Sequence, residues 1–146
     1  MIRVRQPDAA RRGEEGSAVT AKEHWKPEPE EHDYPAAAGF LSLLLPQASV
    51  DALVTELRAA PIGQWKARDL LRASGLALLP ADDPLVSSDL KKVKNGEKLS
   101  PVLLVRGSMN RSAPLQIADG YHRICASYHL DENADVPCRM ASDPSA

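Results

Sequence analysis

Ile117-Ala118-Asp119-Gly120-Tyr121-His122-Arg123-Ile124-Cys125-Ala126 is the stretch that decides how this chain folds. Leu115-Gln116-Ile117-Ala118 reads as a short strand, closed by Asp119-Gly120. A helix follows over residues 121–130. Tyr121, Ile124, Cys125 and Tyr128 fall at i, i+3, i+4 and i+7 and predict one inward face. Working outward, Pro101-Val102-Leu103-Leu104-Val105 is a strand by composition and length. Residues 107–114 form a polar loop between the two strands. Downstream, residues 131–135 make a turn and Val136-Pro137-Cys138-Arg139-Met140 a last strand. Upstream, Ser87 or Ser88 caps a short helix over 89–94 that Asn95-Gly96 ends. The order helix–strand–strand–helix–strand is that of a small α+β domain.

The N-terminal half has a different texture. Phe40-Leu41-Ser42-Leu43-Leu44-Leu45 is a dense apolar run closed by Pro46. Ser49 is the expected cap of a helix over 50–59, with Val50, Leu53, Val54 and Leu57 on one face. A second helix is expected over 64–74, stopped by Gly75. Leu76-Ala77-Leu78-Leu79 reads equally as a buried strand or a helix remnant. Residues 36–75 thus form an N-terminal helical extension to a domain at 76–146. Its expected roles are to extend the core, to cover a site or to form a dimer face. The apolar run at 40–45 is too long to leave bare on a monomer without a partner.

Charge places the boundary of the tail. Residues 1–35 hold six basic and eight acidic side chains; residues 36–146 hold twelve of each. Lys26-Pro27-Glu28-Pro29-Glu30-Glu31-His32-Asp33-Tyr34-Pro35 offers little to bury, so 1–35 reads as a disordered tail. Trp25 and Tyr34 are candidates for docking back onto the domain. The whole chain has 146 residues and a net charge of -2, which argues against a general nucleic-acid binder. DNA is therefore a possible but not a favoured partner. No apolar run approaches the roughly 20 residues of a membrane span, and the charged start has no signal-peptide core. A soluble cytoplasmic protein without a membrane partner is the expectation. Two cysteines are too few for a disulfide scaffold.

The chemistry concentrates at Asp119–Arg123. A helix N-terminus leaves N–H groups without partners and carries partial positive charge, which suits an anion. Gly120 permits positive φ and close approach of a ligand to the backbone. Arg123 carries a planar fork of donors that fits phosphate or carboxylate. His122 donates to a phosphate or moves a proton. Asp119 accepts from a hydroxyl, a metal-bound water or an amide. The competing reading is structural: a turn with a helix cap and a solvated arginine.

Other candidates carry weaker signals. Lys91, Lys92, Lys94, Lys98, Arg106 and Arg111 stand against a single acid, Glu97. They are either a solvated face or a group of cations turned toward the site. Asp82 and Asp83 offer a general base or a turn. Cys125 is expected in the core as a small hydrophobe. No metal site is expected: His122 and His129 lie about 10.5 Å apart along a helix axis, too far to share one ion with Cys125 and Cys138.

Residues of about 76–141 resemble the ParB/sulfiredoxin superfamily. The likeness rests on Leu79-Pro80, Asp83-Pro84, the helix near 88–94, Gly96, Pro101–Val105 as quoted, the Ile117–Arg123 stretch, Ala126 and Val136-Pro137-Cys138-Arg139. It implies a small mixed sheet with flanking helices that binds a nucleotide through its phosphates. By position, Gly120, Tyr121, His122 and Arg123 would form the phosphate turn, with Lys91 or Lys92 assisting. ATP, ADP or CTP are the implied ligands, with magnesium where phosphoryl chemistry occurs. Sulfiredoxins place a catalytic cysteine where this chain has Tyr121. ParB proteins bind CTP and add a DNA-reading domain that the six residues after Met140 do not supply. Small amino-acid kinases carry an Asp-Gly-x-His-Arg turn nearest to Asp119–Arg123 and use an upstream acid as base, in the region of Asp82 or Asp83. Two functions stay open: phosphotransfer or nucleotide hydrolysis with Asp119, His122 and Asp82 or Asp83 as catalytic groups, and a non-catalytic nucleotide-gated module acting with protein or DNA.

Overall fold

The computed structural model describes residues 24–142. Its helices are α1 (Asp33–Leu41), α2 (Gln47–Ala59), α3 (Ala67–Ser74), α4 (Pro84–Lys94) and α5 (Tyr121–Leu130). Its strands are β1 (Gly63–Lys66), β2 (Val102–Arg106), β3 (Gln116–Asp119) and β4 (Asp135–Ser142). The fold is mixed α+β. The strands form one sheet in the order β1-β4-β2-β3. β4 runs parallel to β2, and both outer pairs are antiparallel.

Side chains on a strand alternate between faces, and here both faces are covered. Val102 and Leu104 of β2 point into a cluster with Leu70, Val86, Ile124, Val136 and Cys138, under α3, α4 and α5. Leu103 and Val105 point the other way, into Tyr34, Leu41, Val50, Leu53 and Leu57 of α1 and α2. A strand buried on both faces reads as an unbroken apolar run, which is why Val102-Leu103-Leu104-Val105 is so uniform. Each fully buried aliphatic side chain contributes about 1.5–3 kcal/mol, so these two layers dominate the stability.

The structure corrects several boundaries. Residues 24–35 belong to the folded unit, not to a tail. Trp25 is 5% exposed and bridges to Leu99. Lys26 N–H donates to the Leu99 carbonyl, and Leu99 N–H to that of His24. Two aromatics and one buried acid, Asp33, anchor a segment whose composition alone reads as solvated. Residues 1–23 of that expected tail lie outside the described residues. The expected helix over 64–74 is split. Gly63–Lys66 is instead a strand antiparallel to β4, and the helix starts at Ala67. The sheet thus takes an edge strand from within the expected helical extension. Sheet pairing outweighs the weak local helix preference of Gln64-Trp65-Lys66.

α2 begins at Gln47 after Pro46, without the Ser49 cap. α4 begins at Pro84 with Asp83 as its N-cap, not at Ser87 or Ser88. Residues 76–80 form no regular element. They lie along α5, where Tyr121 Oη donates to the Ala77 carbonyl and His129 Nε2 to the Leu79 carbonyl at 2.7 Å. Gly75 ends α3 at φ 73°, as expected. Among the described residues no helix is long and apolar enough to cross a membrane.

Candidate phosphate-binding turn

β3 ends at Asp119, the chain turns at Gly120, and α5 begins at Tyr121. Gly120 has φ 110°, a left-handed conformation that side chains with a Cβ rarely adopt. A Cβ added there would also collide with the Val102 side chain. Val102 thus fills the space expected to admit a ligand beside the glycine α-carbon. The glycine is demanded by packing and by the turn. No side chain caps α5, so its first-turn N–H groups remain available to an anion.

Arg123 is turned inward. Its side chain is 14% exposed. Nη1 donates to the Ser100 carbonyl at 2.6 Å and to the Pro101 carbonyl at 3.2 Å. Nη2 donates to Asp119 Oδ2. A second carboxylate, Asp33 Oδ2, lies 3.8 Å from Nη1. Asp33 also accepts from the Glu30 N–H at 3.0 Å, which fixes the start of α1. The guanidinium therefore ties α5, β3, the 100–101 segment and α1 together. Burial holds the Asp119 carboxyl above the ordinary carboxylate value, with Arg123 pulling it down and neighbouring Asp33 pushing it up.

His122 is half-buried beside the Tyr121 ring, with centroids 5.4 Å apart. It has no hydrogen-bond partner among the described residues. On the facing helix, Asp89 is 13% exposed and 3.9 Å from Lys92 Nζ. Burial raises the Asp89 pKa, against the lowering charges of Lys92, Arg123 and His122. Asp89 thus pairs with Lys92 of its own helix and feels the charges of α5. The sequence held a sign of it: Val86, Asp89, Leu90 and Val93 follow helical spacing, so Asp89 borders the buried face. Nothing in the sequence singles out Asp33 from the acids around it.

The other expected residues are dispersed. Asp83 Oδ2 accepts from the N–H groups of Leu85 and Val86, both at 3.1 Å, so this carboxylate caps α4. Asp82, Lys91 and Lys92 line an open groove of about 490 Å³ along α4, with Ser87, Ser88, Asn95 and Glu97. None of residues 119–123 lines that groove. Cys125 and Cys138 are free and fully buried. Burial raises both thiol pKa values, and Cys138 Sγ donates to the Val136 carbonyl at 3.2 Å. Ile124 and Cys125 face the core as expected, while Tyr121 and Tyr128 are only half-buried.

No family model matches the chain, and neither a curated protein nor a solved structure matches it.

Proposed function

We propose that the protein binds a nucleoside di- or triphosphate, such as ATP, ADP or CTP, by its phosphates at the N-terminus of α5. The observation that carries the reading is a ten-residue helix with no capping side chain, entered through a glycine at φ 110°. Its N–H groups and dipole favour an anion by about 0.3–1 kcal/mol, and up to about 2 kcal/mol when partly buried. His122, whose side chain has no other bond, offers a hydrogen-bond donor, and Lys92 from α4 a positive charge. Arg123 acts as a positioning residue: it holds Asp119 and the 100–101 carbonyls, and so the shape of the turn. This role differs from the direct phosphate contact that the resemblance to ParB/sulfiredoxin proteins implies.

For phosphotransfer or hydrolysis the chain must supply a base, and magnesium would neutralise the transferring group. Asp82 is exposed and Asp89 is near enough to His122 to feel its charge, so these are the acids left for that role. A second reading, binding without turnover, is favoured by the engagement of Asp83 in a helix cap and of Asp119 with Arg123. In that case the nucleotide would act by shifting a conformation or an assembly.

Calorimetric titration with ATP, ADP and CTP, with and without magnesium, tests both readings. His122→Ala is the proper control, because Arg123→Ala dismantles the turn itself. Saturable binding weakened by His122→Ala supports the site. Turnover that falls in Asp82→Asn or Asp89→Asn selects the enzyme reading. No binding by any of the three nucleotides rejects the proposal.

A further inference from the structure

We propose that the surface between the end of α1 and the β2–β3 loop docks a protein segment that carries apolar side chains flanked by carboxylates. A groove of about 330 Å³ lies there, with Leu41, Leu44, Val105 and Pro114 among its walls and Arg106 and Arg111 at its edge. No acidic residue lines it. The two arginines are distinctive. Arg58, Arg68, Arg72 and Arg123 each face a carboxylate, and Arg139 donates to carbonyls and to Tyr34 Oη. Among the arginines of the described residues, only Arg106 and Arg111 have side chains without a hydrogen bond or ion pair. Both unpaired guanidinium groups therefore sit on one apolar groove, whose positive charge nothing in the described chain offsets.

The apolar surface also outruns the groove. Leu43, next to Leu44 in the chain, is 83% exposed, and Met109, between Ser108 and Arg111, is 97% exposed; neither lines the groove. A small molecule filling 330 Å³ would leave both in water. A protein segment would cover them, seat a side chain between Leu44 and Pro114, and place carboxylates on the arginines. Arginine with clustered apolar anchors is the composition that carries binding energy at protein interfaces. The apolar run at 40–45 thereby divides its work: Leu41 is buried in the core, while Leu43 and Leu44 face outward.

The test pans a random 12-residue peptide library on the intact chain, on Leu44→Glu and on Arg106→Glu/Arg111→Glu. Leu44 is half-exposed and both arginines are exposed, so unchanged unfolding midpoints will verify that the variants fold. The expected result is a consensus of apolar residues beside Asp or Glu. Leu44→Glu should weaken those peptides by at least about tenfold, a loss of about 1.4 kcal/mol. The double charge reversal should select Lys or Arg in place of the acids. A missing consensus, one without acids, or peptides indifferent to the variants would overturn the proposal. Sedimentation that shows a dimer dispersed by Leu44→Glu would overturn it in favour of a second copy. Binding to phosphatidylserine vesicles lost in the same variants would overturn it in favour of a lipid surface.

Discussion

Asp33 at the start of α1 and Arg123 in the first turn of α5 stand 3.8 Å apart, from Oδ2 to Nη1. Ninety residues of chain separate them, and they belong to helices on opposite faces of the sheet. Asp119, at the end of β3, binds the same guanidinium. This knot closes both layers around the end of β3, where α5 begins. The candidate phosphate turn is thus held from behind by charges that water barely reaches.

Removing the knot should unfold the chain readily. Arg123→Ala leaves Asp119 and Asp33 without their shared cation and strips two carbonyls of a donor. Breaking a buried pair from one side costs about 3–5 kcal/mol. Urea unfolding should show a loss of that size. Arg123→Lys should recover only part of it, since an ammonium lacks the planar fork. A loss below about 1 kcal/mol would mean that the pair behaves as a surface ion pair.

Gly120 and Val102 should be coupled. Gly120→Ala forces a Cβ into a left-handed backbone and against the Val102 side chain. Backbone strain of this kind costs about 1–3 kcal/mol, before the collision is counted. Val102→Ala opens space beneath it. The double variant should therefore be more stable than the sum of the two single losses suggests. Strict additivity in unfolding free energies would contradict the close packing described.

Asp83→Ala should cost about 1 kcal/mol, the usual worth of an N-cap. It should leave nucleotide binding unchanged, because its carboxylate serves the N–H groups of Leu85 and Val86. Nucleotide turnover abolished in this variant while its fold persists would instead place Asp83 in the chemistry.

The pH profile follows from Asp89 and Asp119, whose carboxyl pKa values burial raises. Such an acid holds its proton more tightly folded than unfolded. Its stabilising contribution is complete below the unfolded pKa of about 4 and is lost as pH rises through the folded value. Glu30 and Glu31, lowered by Lys26 and Arg58 respectively, titrate in the opposite sense. The readout is therefore the difference between the native chain and Asp89→Asn. Stability of the native chain should fall relative to the variant as pH rises above about 4. A difference that stays constant with pH would contradict the burial of Asp89.

Much of the fold was legible because it is local. The apolar runs of β2 and β4, the i, i+3 spacing in α5, and the stops at Gly75 and Asn95-Gly96 are properties of neighbouring residues. The departures at residues 24–35 and 63–66 involve distant partners. Trp65 lies in a segment with weak helical character, and only pairing with Val136 across the sheet makes it a strand. Asp83 is a local case: Ser87 and Ser88 offer competing caps, yet the Asp-Pro pair is itself a helix-start signal. For the candidate site, the Asp119–Arg123 cluster is visible in sequence, but the inward turn of Arg123 depends on Asp33 and the 100–101 carbonyls. No local pattern encodes that.

The most direct test of the central claim is a map of backbone amide shifts as ADP is added to the labelled chain. Phosphate at the N-terminus of α5 should give the largest saturable shifts at the Tyr121, His122 and Arg123 amides, with smaller ones near Lys92. His122→Ala should weaken the titration by about tenfold or more, the worth of a hydrogen bond to a charged group. Shifts confined to the groove along α4, or no saturable shift anywhere, would contradict the account.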